Sequence, residues 1–445
     1  MLKQGSTGDP FDPIKYMRLS SDGHVWASFG GQLRERVEMW HDFNFGVQGT
    51  NTGDNDDAYL LHRFRAHVDV HAGQMFRAFV EMKSALATDR DLPGTAARPI
   101  GLRPVEVDTI DLQNAFLDVR LPLGEKDSFT LRGGRQELLF GNERLVSPLD
   151  WTNTRRTFDG VSGIWNVVNW RVQAFYSHLV RVHKYNFNEP DDDVQFWGAY
   201  ATRPQPFGTS GPAVLDVYWL ALERGDSYPA SPAFNGSVGE DDRQTFGARI
   251  AGPIPNTDFD YEAEGAYQFG DVSGADVSAG MFVAEVGWGV PKAVYAPRVV
   301  AGFDYASGDD TAGDGDVETF NQLFPLGHKY LGYIDVIGRQ NIMDARLQTS
   351  ITPFYTTRVS LDFHNFWRAS DDDALYNAAG GVVRAGNTSG ESFVGSELDL
   401  TLRQPIGRHF DALFGYSHFF AGPFVEDSGP DDDIDFGYIQ GQYTF

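Results

Sequence analysis

The chain has 445 residues, and its 36 Lys plus Arg against 62 Asp plus Glu give a formal net charge of −26, which speaks against nucleic acid as a partner. It contains no cysteine, which excludes disulfides, thiolate metal sites and cysteine catalysis. No apolar run approaches the roughly 18 residues of a membrane-spanning helix, but a barrel strand needs only about 10 residues of alternating character, so a transmembrane barrel stays open.

Residues 1–23 read as a short extension on the periplasmic side. They lack a basic start, an apolar stretch and a small-residue cleavage site, so no signal peptide is visible in this chain. From residue 24 to 445 a single domain is expected, with eighteen strands near 25–40, 57–71, 75–87, 109–121, 127–138, 157–166, 169–178, 193–203, 212–224, 242–251, 257–270, 277–290, 297–306, 342–352, 355–369, 391–403, 409–421 and 433–445. The signal is strict period-two alternation. Between Asp258 and Phe269, Asp258, Asp260, Glu262, Glu264 and Gln268 share one face, and Phe259, Tyr261, Ala263, Tyr267 and Phe269 share the other. The stretches 243–250, 344–351, 358–368 and 397–403 sort their residues in the same way. A soluble sandwich also alternates, but its strands run nearer five or six residues.

Connections alternate between short ones, such as 71–74, 252–255 and 404–408, and long ones, such as 307–341 and 370–390. That is the rhythm of periplasmic turns and extracellular loops in an outer-membrane barrel. Acidic residues gather in the long set: Asp54, Asp56 and Asp57, Asp191 to Asp193, Glu240 to Asp242, Asp309, Asp310, Asp314, Asp316, Asp371 to Asp373 and Asp431 to Asp433. Their spacing does not follow the EF-hand order, and a solvated outer face is the expectation, with no metal and no cofactor. The segment 307–341 is long enough to fold inward as a constriction or a lid. The ending Tyr443-Thr444-Phe445 is similar to the signal that barrel-assembly machinery reads. Together these features predict an all-β fold, an 18-stranded antiparallel transmembrane barrel in a Gram-negative outer membrane, touching lipid and lipopolysaccharide.

Several stretches, in one order along the chain, resemble the alginate-export family of outer-membrane barrels. They are Gly30-Gly31-Gln32-Leu33-Arg34-Glu35-Arg36, Leu60-Leu61-His62-Arg63-Phe64-Arg65, Asp111 to Asp118, Gly134-Arg135-Gln136, Arg155 to Gly160, Tyr267 to Gly270, Ala306 to Asp309, Phe366-Trp367-Arg368 and Gly395 to Leu400. The resemblance implies a monomeric 18-stranded barrel that lets an anionic polysaccharide cross the outer membrane through an arginine-lined constriction, helped by periplasmic export partners. On it, Arg135 and Gln136 match a Gly-Arg-Gln motif and Arg368 a Phe-Trp-Arg motif. Gln113, Glu137 and the stretch Leu413 to His418 stand where the family's alginate-passing pattern has arginines. The resemblance therefore carries the fold further than it carries the solute.

Arginine outnumbers lysine 29 to 7, and a planar fork suits a path for carboxylates and phosphates. Arg34, Arg36, Arg63 and Arg65 alternate on neighbouring strands and should project to one face. With Arg135, Gln136 and Arg368 they form the expected solute path. The competing reading pairs inward arginines with inward carboxylates such as Asp69, Glu262, Asp362, Glu397 and Asp399 in ladders across the wall. Trp40, Trp151, Trp288 and Trp367 fall near strand ends and are expected in the interfacial girdles. His62, His67, His71 and His364 show no metal-ligand spacing. No nucleophile elbow is present, so catalysis is not expected. A soluble carbohydrate-active propeller would need blade repeats of roughly 40 to 50 residues, and none is found. The expected function is passive passage of an anionic polysaccharide or related anionic solute. The alternative is uptake of small organic acids through a constriction narrowed by folded loops.

Overall fold

The computed structural model describes residues 7–47, 55–95, 98–100, 102–206, 212–225, 240–311, 313–354 and 356–445. The first six residues of the expected extension, Asp54 of the acidic set and Tyr355 at the start of an expected strand lie outside the described residues. Eighteen antiparallel strands form the wall: β1 Val25–His41, β2 Asp57–Ala72, β3 Phe76–Thr88, β4 Asp108–Pro122, β5 Ser128–Gln136, β6 Phe158–Val167, β7 Trp170–Arg181, β8 Glu189–Pro204 and β9 Val214–Arg224. The second half comprises β10 Asp241–Pro253, β11 Phe259–Val272, β12 Ala275–Gly289, β13 Arg298–Ala306, β14 Ile342–Phe354, β15 Thr357–Trp367, β16 Phe393–Ile406, β17 Phe410–Ala421 and β18 Ile434–Thr444. Each pairs with its chain neighbour, and β18 pairs with β1 from Gln32↔Thr444 to His41↔Asp435, which closes the barrel and leaves no wall edge open.

Alternation fixes which residues form the outer belt of the barrel. Leu33, Phe64, Val80, Phe246, Tyr267, Phe282, Leu347, Leu361, Leu400 and Phe414 point outward and are exposed, while Arg243, Glu264, Asp344, Asp362, Glu397 and Asp399 point inward and are buried. A one-residue slip would exchange the two sets, so the register is strongly specified. One outward pair departs from the rule: Glu35 and His62, directly opposite on β1 and β2, bond to each other at 2.5 Å amid outward Leu33, Val37 and Phe64.

Among the described residues no helix is long and apolar enough to cross a membrane; the two α-helices, Asp12–Lys15 and Pro423–Ser428, are caps. Described residues of the N-terminal segment dock on the short-turn rim, where Lys15 Nζ donates to Phe29 O at 2.9 Å and Phe11 packs 5.1 Å from the His409 ring. The apolar core lies inside the barrel. It forms where the β5–β6 connection (137–157) and the β13–β14 connection (307–341) fold into the lumen, placing Leu138, Phe140, Leu145 and Val146 against Phe320, Phe324, Leu331 and Ile337. Val146 bridges Phe324 in parallel, with Ser147 N donating to Phe324 O and Phe324 N to Leu145 O, both at 2.9 Å. Buried main-chain groups of two inward loops are thereby satisfied by each other.

Two expectations change here. Trp288 stands outward with Trp165 and Trp219, as a girdle requires, but Trp40 and Trp151 turn inward and pack against the lumen core. A position near a strand end does not fix the side, and Trp151 rides on an inward loop. The acidic loop set is also not uniformly solvated. Asp373 is fully buried, accepting from Thr319 Oγ1 at 2.5 Å and Tyr376 OH at 2.8 Å, and Asp309 is buried beside it.

Candidate solute path and its septum

The inward arginines of β1 and β2 hold the first inward loop by its main chain. Arg34 donates to Asp150 O at 2.8 Å and Thr152 O at 2.7 Å. Arg36 donates to Trp151 O at 2.7 Å, pairs with Glu38 at 2.6 Å and lies 4.0 Å over the Trp151 ring. Arg63 reaches Asp150 through both its carbonyl (3.1 Å) and its carboxylate (2.8 Å). Arg65 pairs with Glu81 at 2.7 Å, and Glu137 is 3.8 Å away. Alternate spacing put these side chains on one face, where a carbonyl-rich turn coordinates Arg34, Arg36 and Arg63.

The remaining expected site residues sit elsewhere. Arg135 bridges Asp159 and Asp111, each at 2.8 Å, and donates to Asn188 O at 3.0 Å. Gln136 is buried in the wall, where its Oε1 accepts from Ser162 Oγ at 3.0 Å. Arg368 is buried among the long loops, donating to the carbonyls of Asp371, Asp373, Ser389 and Glu391 and lying 3.8 Å over the Phe424 ring. The structure thus brings Arg34, Arg36, Arg63 and Arg65 together and holds Arg135, Gln136 and Arg368 apart from them.

Across the lumen, Arg144 of the first inward loop meets three wall carboxylates: Glu262, Glu264 at 3.3 Å and Glu285 at 3.0 Å. Arg339 of the second loop bonds Asp304 at 3.2 Å and the Arg144 carbonyl at 3.2 Å. The two loops are therefore fixed to the wall and to each other through guanidinium groups.

Residues 327–336 form a septum between two cavities. On the long-loop side a cavity of about 300 Å³ is lined by Arg36, Trp40, Tyr59, Trp151, His328 and Asp335, among others. On the short-turn side a cavity of about 610 Å³ is lined by Glu262, Glu285, Arg298, Lys329, Tyr330, Tyr333 and Arg346, among others. The 3-10 turn Gly327–Lys329 places consecutive residues on opposite sides. His328 stacks on Trp151 with ring centres 3.5 Å apart and on Tyr333 at 4.5 Å, and its Nδ1 is 3.2 Å from Asp335. Lys329 donates to Asn142 Oδ1 at 2.8 Å and has no carboxylate partner among the described residues. Burial in the lumen lowers the Lys329 pKa from the ordinary lysine value, with Glu143 acting the other way. Sequence reasoning missed His328 and Lys329 and gave Trp151 to an interfacial girdle when it stacks on His328 in the lumen. The available signal was a basic and aromatic run, Gly327-His328-Lys329-Tyr330-Leu331-Gly332-Tyr333, inside an otherwise acidic connection. One trio at the long-loop rim, exposed His41 and Asp56 with half-buried Asp42, brings ligand-type atoms together among the described residues.

A closed wall, an apolar outer belt and a lumen constricted by inward loops define an outer-membrane β-barrel of the porin-like class. The barrel is similar in fold to Acinetobacter baumannii OccAB1 (11% identity, TM-score 0.61, covering 97% of this chain and 98% of that one). It is similar in the same way to Pseudomonas aeruginosa OccK3, also called OpdO (11%, 0.59, 94% and 95%), and to Pseudomonas aeruginosa OpdK solved with vanillate (10%, 0.58, 94% and 98%). No functionally curated protein matches the chain. The alginate-export family pattern matches residues 25–437, and the chain belongs to that family.

Proposed function

We propose that this barrel is a passive channel for small anionic solutes carrying carboxylates, with the septum 327–336 as its narrow point. The observation that carries this reading is the division of the lumen into cavities of about 300 and 610 Å³. Each volume suits a single ring or a short acid, and a polymer chain would have to thread past residues 327–336 to join them. On the septum, His328 faces one cavity and Lys329 the other, so a carboxylate passing between them exchanges one nitrogen partner for the next. That the structurally similar OpdK was solved with vanillate, a small aromatic acid, agrees with a solute of this size. Arg34, Arg36, Arg63 and Arg65 contribute field from behind the first inward loop; Arg135, Gln136 and Arg368 act on the wall and the rim.

The second reading, passage of an anionic polysaccharide, is favoured by family membership. It requires the septum to swing out of the lumen. Planar-bilayer reversal potentials in a salt gradient, repeated with small aromatic or aliphatic acids and with oligouronates of increasing length, separate the two. Small acids should permeate and block chloride current, with the effect fading beyond the shortest oligomers. Lys329→Gln should reduce the anion preference. Unhindered passage of long oligouronates would replace the small-solute reading, and no channel activity in folded protein would remove both.

A further inference from the structure

Glu397 and Asp399 project from β16 into the lumen wall, and neither exposes any surface. Glu397 Oε1 accepts the N–H of Ile334 at 2.9 Å, and the N–H of Tyr333 is aimed at the same carboxyl, so the septum hangs on this side chain. Gly332 makes that approach possible. Its φ is +83°, and a Cβ there would overlap the Glu397 carboxyl. The other oxygens of the pair are orphaned: Glu397 Oε2 and both Oδ atoms of Asp399 find no donor, and neither does Ser417 Oγ, fully buried on β17 directly opposite Asp399.

The neighbours do not supply the missing positive charge. On β15, His364 lies opposite Glu397 and Asp362 opposite Asp399. His364 gives its Nδ1 to Asp344 on β14 at 2.8 Å and keeps its Nε2 3.9 Å from Asp399. Asp362 is occupied by Arg346 at 2.5 Å and by Gln348. Tyr333, Tyr438 and Arg358 complete the ionisable surroundings. The four carboxyl groups of Asp344, Asp362, Glu397 and Asp399 thus share the Arg346 guanidinium and the His364 imidazole, while Arg358 donates to Ser350 Oγ at 3.1 Å. Glu397 and Asp399 alternate on β16, so both carboxyl groups project side by side from its inward face. Two ionised carboxylates in contact and out of water repel, whereas one proton between them makes a short charge-assisted bond and satisfies two orphaned oxygens at once.

We propose that Glu397 and Asp399 hold one proton in common, and that this proton keeps the septum docked on the wall. The proton leaves Glu397 Oε1 free to accept from Ile334. When it passes to hydroxide in alkaline solution, two anions are left buried without a counter-charge; water enters between β16 and the septum to hydrate them, displaces the Tyr333 and Ile334 N–H groups from Glu397, and the two cavities join. The inference rests on the septum being the barrier and is indifferent to which solute passes.

Infrared difference spectroscopy on the folded barrel tests the proton directly, without transport. The wild type should show a protonated-carboxyl C=O stretching band at neutral pH that disappears in Glu397→Gln and in Asp399→Asn. Bilayer conductance in a simple chloride salt tests the consequence. Wild-type conductance should rise from neutral to strongly alkaline pH. Both variants should stay at the neutral-pH level throughout, because an amide N–H replaces the shared proton permanently while a carbonyl remains for Ile334. Heat-modifiable gel mobility confirms that each variant is folded, and either one suffices. The absence of the carboxyl band, a wild-type conductance flat with pH, or a response to sodium or calcium concentration at fixed pH in place of pH would each overturn the shared proton. Failure of the solute reading would leave the infrared result standing.

Discussion

The two sides of the lumen treat arginine differently. On the β1–β3 side, Arg34, Arg36 and Arg63 donate to the main-chain carbonyls of Asp150, Trp151 and Thr152, and Arg36 and Arg63 each add one carboxylate, Glu38 and Asp150. On the β9–β15 side, Arg144, Arg249, Arg339 and Arg346 are bound by wall carboxylates, with Glu262 shared by two of them. A carbonyl satisfies a guanidinium without cancelling its charge; a carboxylate does both. Arg34, Arg36, Arg63, Arg65 and Arg155 face Glu38, Glu81, Glu137 and Asp150, an excess of one positive charge. The four opposite arginines and Lys329 face Asp216, Glu262, Glu264, Glu285, Asp304 and Asp362, an excess of one negative charge. The difference teaches that the net charge differs in sign between the two walls, so under the small-solute proposal an anion is expected to be drawn to the β1–β3 wall.

The largest break in that comparison is expected from Arg144→Met. It leaves three glutamates without their shared cation, at a cost of about 3–5 kcal/mol, read as a lower denaturant midpoint for the folded barrel. Arg34→Gln removes two hydrogen bonds from the first inward loop, at a cost of about 1–3 kcal/mol. It should appear as loss of protease protection around 147–157 and a larger conductance.

Acid provides a finer test through Asp150. Burial alone would raise its carboxyl pKa, but the guanidinium groups of Arg155, Arg63 and Arg34 outweigh it and hold the group well below the ordinary value of 3.8. A depressed folded-state value stabilises above the unfolded pKa; that stabilisation is lost progressively as pH falls from the unfolded value through the folded one, while the folded protein itself keeps the ionised group until the lower value is reached. The fluorescence of Trp151 should therefore hold steady through pH 3.8 and change only in stronger acid. Asp150→Asn should weaken the loop at neutral pH and converge with wild type in strong acid. The smallest effect belongs to Arg63→Gln with Arg65→Gln, which should lower anion preference in reversal-potential measurements while the barrel stays folded. Unchanged potentials in that double variant would confine these arginines to holding loop and wall.

The outside of this barrel was legible in the sequence because lipid imposes one rule at every alternate residue, and each strand states it locally. All eighteen strands fall where alternation and turn signals put them. The largest shift is at β8, expected from 193 and starting at Glu189, where pairing resumes past an irregularity at Val180↔Pro190 through a proline-and-aspartate run that reads as loop. The lumen was legible only in part. Alternate spacing places Arg34 and Arg36 on one face, but their partners at 150–152 lie more than a hundred residues away on a connection with no period of its own. The inward fold of 307–341 follows from its length. The division of labour between His328 and Lys329 depends on a turn whose handedness no hydropathy pattern records.

The seam between β1 and β18 bears on how the barrel comes into being. Gly31 and Phe445 exchange N–H to O=C bonds at 3.0 Å in both directions, so the contact that seals the wall joins opposite ends of the strand series. The entropy of closing so long a loop grows only with the logarithm of its length, so sealing costs the finished barrel little. The search for that contact is slow, because pairings remote in sequence form late. Until they form, two long strand edges stand open to any other chain that offers hydrogen bonds. The stability of the finished channel and the hazard of making it thus arise from the same few backbone hydrogen bonds.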